Sequence, residues 1–262
     1  MWYINYMTAG LILLALVSLL GVLVHRRSRF EQRIFKNVPL IDWFYITVFP
    51  TFMFAGWVLI IKSIVNRPGI NLIPIDDFDF LMIMVLFILY AFVGNGLHFS
   101  SKIIWRYLPH GDHHKLVYKV NEMFHNKLSH YTVYVTLFLT SFVGAIMELN
   151  HPVVSSSAFL VFWIITIAGV VVGFSTAKSI YYTNQWFGGY NRPLSILVLI
   201  LLICLVSIYK VLQVSIVLYP LASFITVTYL AFLTSFILRQ FMIFTRLSHK
   251  HRLRFLAKIF SA

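Results

Sequence analysis

The sequence predicts an all-α, polytopic membrane bundle of seven transmembrane helices, with its N-terminus outside and its C-terminus in the cytoplasm. Three observations lead there. Of the 262 residues, 60% are hydrophobic, 17% aromatic and only 11% charged. The mean hydropathy is +0.85, so the solvent for most of the chain is lipid rather than water. Apolar runs approaching or exceeding the length of a spanning helix, about 20 residues, recur seven times. Finally, basic residues gather on the cytoplasmic side of membrane proteins. With the N-terminus outside, only Lys62, Arg67 and Lys210 of the 21 Lys and Arg fall on the outer side.

The first span, 8–24, follows a start without basic residues and is followed at once by His25, Arg26, Arg27 and Arg29. A secretory signal has the reverse order, so this span reads as a retained helix. The second, 39–65, opens at Pro39, carries Pro50 as a predicted kink, and lets Lys62 snorkel near its end. Residues 66–79 combine Asn, Pro and Gly with Asp76, Asp77 and Asp79. The acids suit the first turn of the third span, 77–98, better than a calcium site, which needs more oxygens than they supply. The fourth span is 130–148, the fifth starts at Pro152 and runs to 176, and Pro193 opens the sixth, 193–217. Pro220 separates it from the seventh, 220–243. Prolines at four helix starts support these boundaries.

The net charge of +13 is the topology signal itself, strengthened by attraction to anionic head groups. It requires no nucleic acid. The one cysteine, Cys204, excludes an intrachain disulfide and a paired-cysteine metal site, and reads as a packing residue. The longest polar stretch, 98–130, is too short for a core of its own, so the chain is one membrane domain of residues 1–262. A multi-pass protein of a prokaryotic plasma membrane is the expected setting, with membrane lipids and further membrane subunits as partners. There is no phosphate-binding glycine loop, no GxSxG elbow, no HExxH, and no lysine between Pro220 and Leu238 to carry a retinal.

Six of the ten histidines lie in the 98–130 segment: His98, His110, His113, His114, His125 and His130. Neutral imidazole is the commonest protein ligand for transition metals, which makes zinc or iron the expected cofactor. Asn95, His98 and Ser101 form a polar stripe at helical spacing at the inner end of the third span. An ionisable group there needs a named partner, and the partners predicted are His130, or Glu122 and His125. On an α-helix Glu122 and His125 lie about 60° apart and can share an ion, whereas His125 and His130 lie about 140° apart and cannot unless the helix begins between them. His98, His125 and His130 are the principal candidate ligands. His113 and His114 form a further pair, in competition with a plain surface turn made by Pro109, Gly111 and Asp112. Glu122 and Ser101 are the candidate proton-transfer or orienting groups. Residues 103–108 and 116–124 read as short amphipathic helices in the interface, and the aromatic segment 181–190 as an interfacial turn or lid.

The HxxHH spacing of His110 to His114 and the HxxxxH spacing of His125 to His130 resemble the histidine boxes of membrane desaturases and hydroxylases, in which cytoplasmic histidines hold two irons. The likeness covers only Glu122 and these histidines. No span separates the two boxes here and a third is missing, since only His249 and His251 remain, so membership does not follow. Three functions are compatible with these residues: a metal-dependent enzyme acting on a lipid or other apolar substrate, a transporter with His98 and Asn95 on its path, and a non-catalytic subunit of a membrane complex.

Overall fold

A computed structural model describes residues 2–25, 32–36, 38–108, 115–153, 159–184, 191–248 and 251–252. Seven helices are long and apolar enough to cross a membrane. They are α1 (Trp2–His25), α2 (Leu40–Val65), α3 (Asp77–Tyr107), α4 (Leu116–Glu148), α5 (Phe159–Asn184), α6 (Asn191–Val211) and α7 (Pro220–Arg246). A two-residue antiparallel pairing, Ile34–Phe35 with Val38–Pro39, precedes α2. In lipid every backbone polar group must be satisfied within its segment, which is why apolar runs of this length become helices.

Lipid gives helices no hydrophobic reason to associate, so close packing depends on small residues. Gly169 and Gly173, one turn apart on α5, face α7. A Cβ at Gly173 would stand 2.4 Å from the Thr228 carbonyl oxygen and 2.7 Å from the Ala231 Cβ, so only glycine admits that backbone approach. The α5–α7 pair, the α1–α2 pair and the α3–α4 pair are the main seams, and α1 joins α5 to α2. Phe138 of α4 packs edge-on against Phe232 and Tyr229 of α7, whose hydroxyl donates to the Phe138 carbonyl at 2.7 Å.

Several elements differ from the sequence reading. Helices α3 and α4 do not stop near His98 and His130. Each continues through one of the stretches expected to be a separate interfacial helix, because Ser101, Tyr118 and Asn121 are buried between them and Asn121 donates to the Ser101 carbonyl at 3.1 Å. Pro50 does not break α2: five residues in π geometry, Phe44–Val48, precede it and absorb its missing donor. Pro152 lies in the connection before α5 rather than in its first turn. Helix α6 ends before residue 217, since Gln213 adopts a left-handed φ of 53°. Cys204 faces outward and is not a core residue. Of the aromatic segment 181–190 expected to form a turn or lid, residues 181–184 continue α5 and residues 185–190 lie outside the described residues. Asp76 does cap α3, accepting from the Asp79 amide at 2.8 Å.

At the end of the bundle where α3 begins and α4 finishes, a polar knot ties four helices together. Arg67, expected in an outer loop, is buried and donates to Glu148 at 2.8 Å, to the His151 carbonyl at 3.1 Å and to Ser63 at 3.2 Å. Glu148, with no exposed surface, also accepts from the Ala222 amide at the start of α7 at 2.9 Å. His151 reaches Asp77 at 2.8 Å, and Asn150 clasps the 73–75 turn through the Ile73 amide at 2.7 Å and the Ile73 and Ile75 carbonyls. Removing one partner of a buried pair strands a charge. Glu148→Ala is therefore expected to cost about 3–5 kcal/mol, and Arg67→Met with Glu148→Leu to recover most of it. Unfolding in mixed detergent micelles measures both, and a single-variant loss under about 1 kcal/mol would show that the pair does not hold this end.

Candidate metal centre

The opposite end of the bundle holds the histidines. His98 lies on the inner face of α3, in line with Asn95 and the buried Ser101, as the polar stripe predicts. His125 and His130 lie on α4, and the local backbone there is not α-helical. Residues Met123–Ser129 form a π segment. Its hydrogen bonds run from each residue to the fifth beyond, which brings positions five apart onto one face. The 140° separation expected between His125 and His130 therefore disappears, and both rings point at α3. The Ser129 hydroxyl donates back to the His125 carbonyl, satisfying an acceptor that the altered register loosens.

Gly94 sets the distance between the two helices. A Cβ there would stand 3.0 Å from the Ser129 carbonyl oxygen, 3.0 Å from the Val133 Cγ2 and 3.2 Å from the Thr132 Cβ. One turn further along α3 is His98. The missing side chain lets α3 approach the backbone of α4 where the imidazoles must meet.

The three rings converge. His98 Nδ1 and His130 Nε2 are 2.7 Å apart. Ring centroids are separated by 4.5 Å for His98 and His125, 4.6 Å for His98 and His130, and 5.6 Å for His125 and His130. One ligand nitrogen from each of the three lies within 4.8 Å of the others, an arrangement fit to hold a metal ion. Among the described residues, the buried His125 Nε2 makes no hydrogen bond; in the tautomer that leaves it unprotonated, it offers a lone pair that an ion would satisfy. The 2.7 Å contact is a shared proton between two imidazoles. Two nitrogens about 2.0–2.1 Å from one tetrahedral ion stand about 3.3 Å apart, so exchanging that proton for an ion asks the rings to part by roughly half an ångström.

The other predicted residues distribute differently. His113 and His114 lie outside the described residues, as does His110. Glu122 is half-buried immediately before the π segment and is not among the groups within 4.8 Å of one another. Ser101 is buried, with its carbonyl engaged by Asn121. His251 bonds Ser248 at 2.7 Å, away from the centre. Sequence reasoning missed Asp42, whose buried carboxylate receives Lys102 at 2.7 Å one turn beyond His98. The signal was present as an acid inside an apolar run, a position that is costly without a purpose.

On the bundle side of the histidines is a cavity of about 270 Å³. Its lining includes Asn95, one turn from His98, and Tyr134, one turn from His130. The Tyr134 ring meets His130 edge to face at 6.4 Å, and its hydroxyl is 2.9 Å from Ser179 of α5. Most of the remaining lining is apolar and aromatic, including Val17, Phe49, Met53 and Trp57.

Gly94→Leu is expected to force α3 from α4 and lower the affinity for zinc at least about tenfold, measured by competition with a chromophoric chelator. Unchanged affinity in a folded Gly94→Leu protein would show that helix spacing does not govern the centre. Comparisons with protein-family models, curated proteins and solved structures find no match to this chain, so its function is read from this geometry.

Proposed function

We propose that the protein is a zinc-dependent membrane enzyme that acts on an apolar substrate at the cytoplasmic side of the bilayer. The observation that carries the proposal is the convergence of His98, His125 and His130 within 4.8 Å, one helical turn from Asn95 and Tyr134, which line a largely apolar cavity. Three imidazoles with no carboxylate in the set match the donor pattern of catalytic zinc and differ from the two-histidine, one-carboxylate arrangement of non-haem iron. His98, His125 and His130 would hold the ion, and a zinc ion bound there would supply activation of water near neutral pH. The histidines position the ion and the cavity excludes bulk water. Asn95 and Tyr134 supply polar groups at the junction.

The cytoplasmic placement rests on the concentration of basic residues at the histidine end. Lys102 and Asp42 form the nearest charged pair on that side and are proposed to exchange protons with water. Glu122 and Ser101 are assigned supporting positions on α4 and α3.

Metal analysis tests the reading. Protein purified without chelator is expected to carry about one zinc per chain, and His98→Ala, His125→Ala and His130→Ala are each expected to lose most of it. Metal-free wild-type protein that takes up no zinc at neutral pH would remove the enzyme reading.

A further inference from the structure

We infer that the cavity takes one unbranched hydrocarbon chain with a single polar head, entering sideways from the bilayer between α2 and α3 and placing its head at the histidine centre. The placement of the head rests on the metal-centre reading above; the chain site and its entry route rest on separate observations.

Length and volume define the chain. Along α2 the lining runs from Tyr45 to Trp57, which at 1.5 Å per residue is about 18 Å. A volume of about 270 Å³ along a lining that long makes an elongated cavity, and it sits just below the usual range for small-ligand pockets, roughly 300–1,000 Å³. That size and shape suit one extended chain.

Polarity orients the occupant. At one end are Asn95 and Tyr134, each one helical turn from a metal-centre histidine; Trp57, buried, lies at the far end of the α2 lining. Among the described residues, the Asn95 amide is held only by a long 3.4 Å hydrogen bond to the Tyr45 carbonyl, so it can turn to an oxygen head group at little cost. Ser18, Thr140, Ser175 and Thr176 put further hydroxyls on the lining, so it is the nearness of Asn95 and Tyr134 to the histidines that assigns the head to this end.

Packing supplies the entrance. Helix α2 lies along α1, and α3 lies along α4. The Phe49–Val65 length of α2 and the facing length of α3 hardly touch. Phe54 and Phe92 flank this seam, and both line the cavity while remaining 49% and 47% exposed. In a bilayer that exposure is to acyl chains, so the seam joins the cavity to the solvent in which such a molecule dissolves.

Trp57 makes the site observable. The full-length protein, reconstituted in phosphatidylcholine vesicles, is titrated with dodecanol brominated at its terminal carbon, and the Trp57 share of the fluorescence is obtained by difference from Trp57→Phe. The expected result is saturable quenching of that share at about one probe per chain. Ala91→Phe, which fills the cavity, should weaken it by about tenfold or more while zinc content stays unchanged. Quenching that rises in proportion to probe in the membrane, equally in Ala91→Phe, would overturn the inference, as would saturable quenching by a two-chain bromolipid. Saturable uptake by protein that binds no zinc would uphold the chain site and remove the enzyme reading. Zinc-loaded protein without saturable uptake would do the opposite.

Discussion

The backbone register of seven residues in α4 decides whether there is a site at all. An α-helix repeats every 3.6 residues, and two histidines five apart on it look in different directions. The π segment Met123–Ser129 brings them back onto one face. The segment costs hydrogen-bond quality, and such segments appear as single turns, often at functional positions. Here the Ser129 hydroxyl returns a donor to the His125 carbonyl, and Gly94 lets α3 close on the same turn. Register, donor and spacing all act on one point of contact between two helices.

Polar groups elsewhere in the bundle obey the same economy. A buried polar atom in lipid has no water to fall back on. The described structure gathers its strongest internal interactions at two ends. The Arg67 and Glu148 knot closes one end and binds four helices through side chains and backbone groups together. Its members are nearly all satisfied, as expected of a structural clamp. At the histidine end His98 and His130 share one hydrogen bond and, among the described residues, His125 Nε2 has no partner; in the knot Arg67 Nε likewise has none. What distinguishes the histidine end is three imidazole nitrogens within 4.8 Å of one another.

Much of this was legible in the residues. Seven apolar runs, Asp76 as a cap, Pro220 as a helix start and the pairing of His98 with His130 all follow from composition, spacing and the cost of an ionisable group near lipid. The triad of His98, His125 and His130 was named from the sequence, but the backbone geometry that turns His125 and His130 to one face was not legible. Spacing rules assume an α-helix, and nothing in MFHNKLS announces a π turn. The continuation of α3 to Tyr107 was hidden for a related reason: Lys102 looks like a residue that ends a span, yet its ammonium is held by Asp42, sixty positions away. Arg67 lies in the loop after α2, as expected, but its burial was not legible because its partner Glu148 is 81 positions distant. Local pattern reports what a residue costs, and tertiary contact decides where that cost is met.

The positions of the groups around the histidines also constrain the direction of any reaction. On the bundle side, one turn inward, Asn95 and Tyr134 border the cavity. One turn outward along α3, Lys102 holds the Asp42 carboxylate and keeps part of its own surface exposed. A group bound among the three imidazoles therefore has hydrocarbon on one side and a charged pair in reach of water on the other. Under the proposed function, an apolar substrate would come from the membrane side and water from the rim, where Lys102 keeps part of its surface exposed; that division is what chemistry on a membrane-dissolved molecule would use.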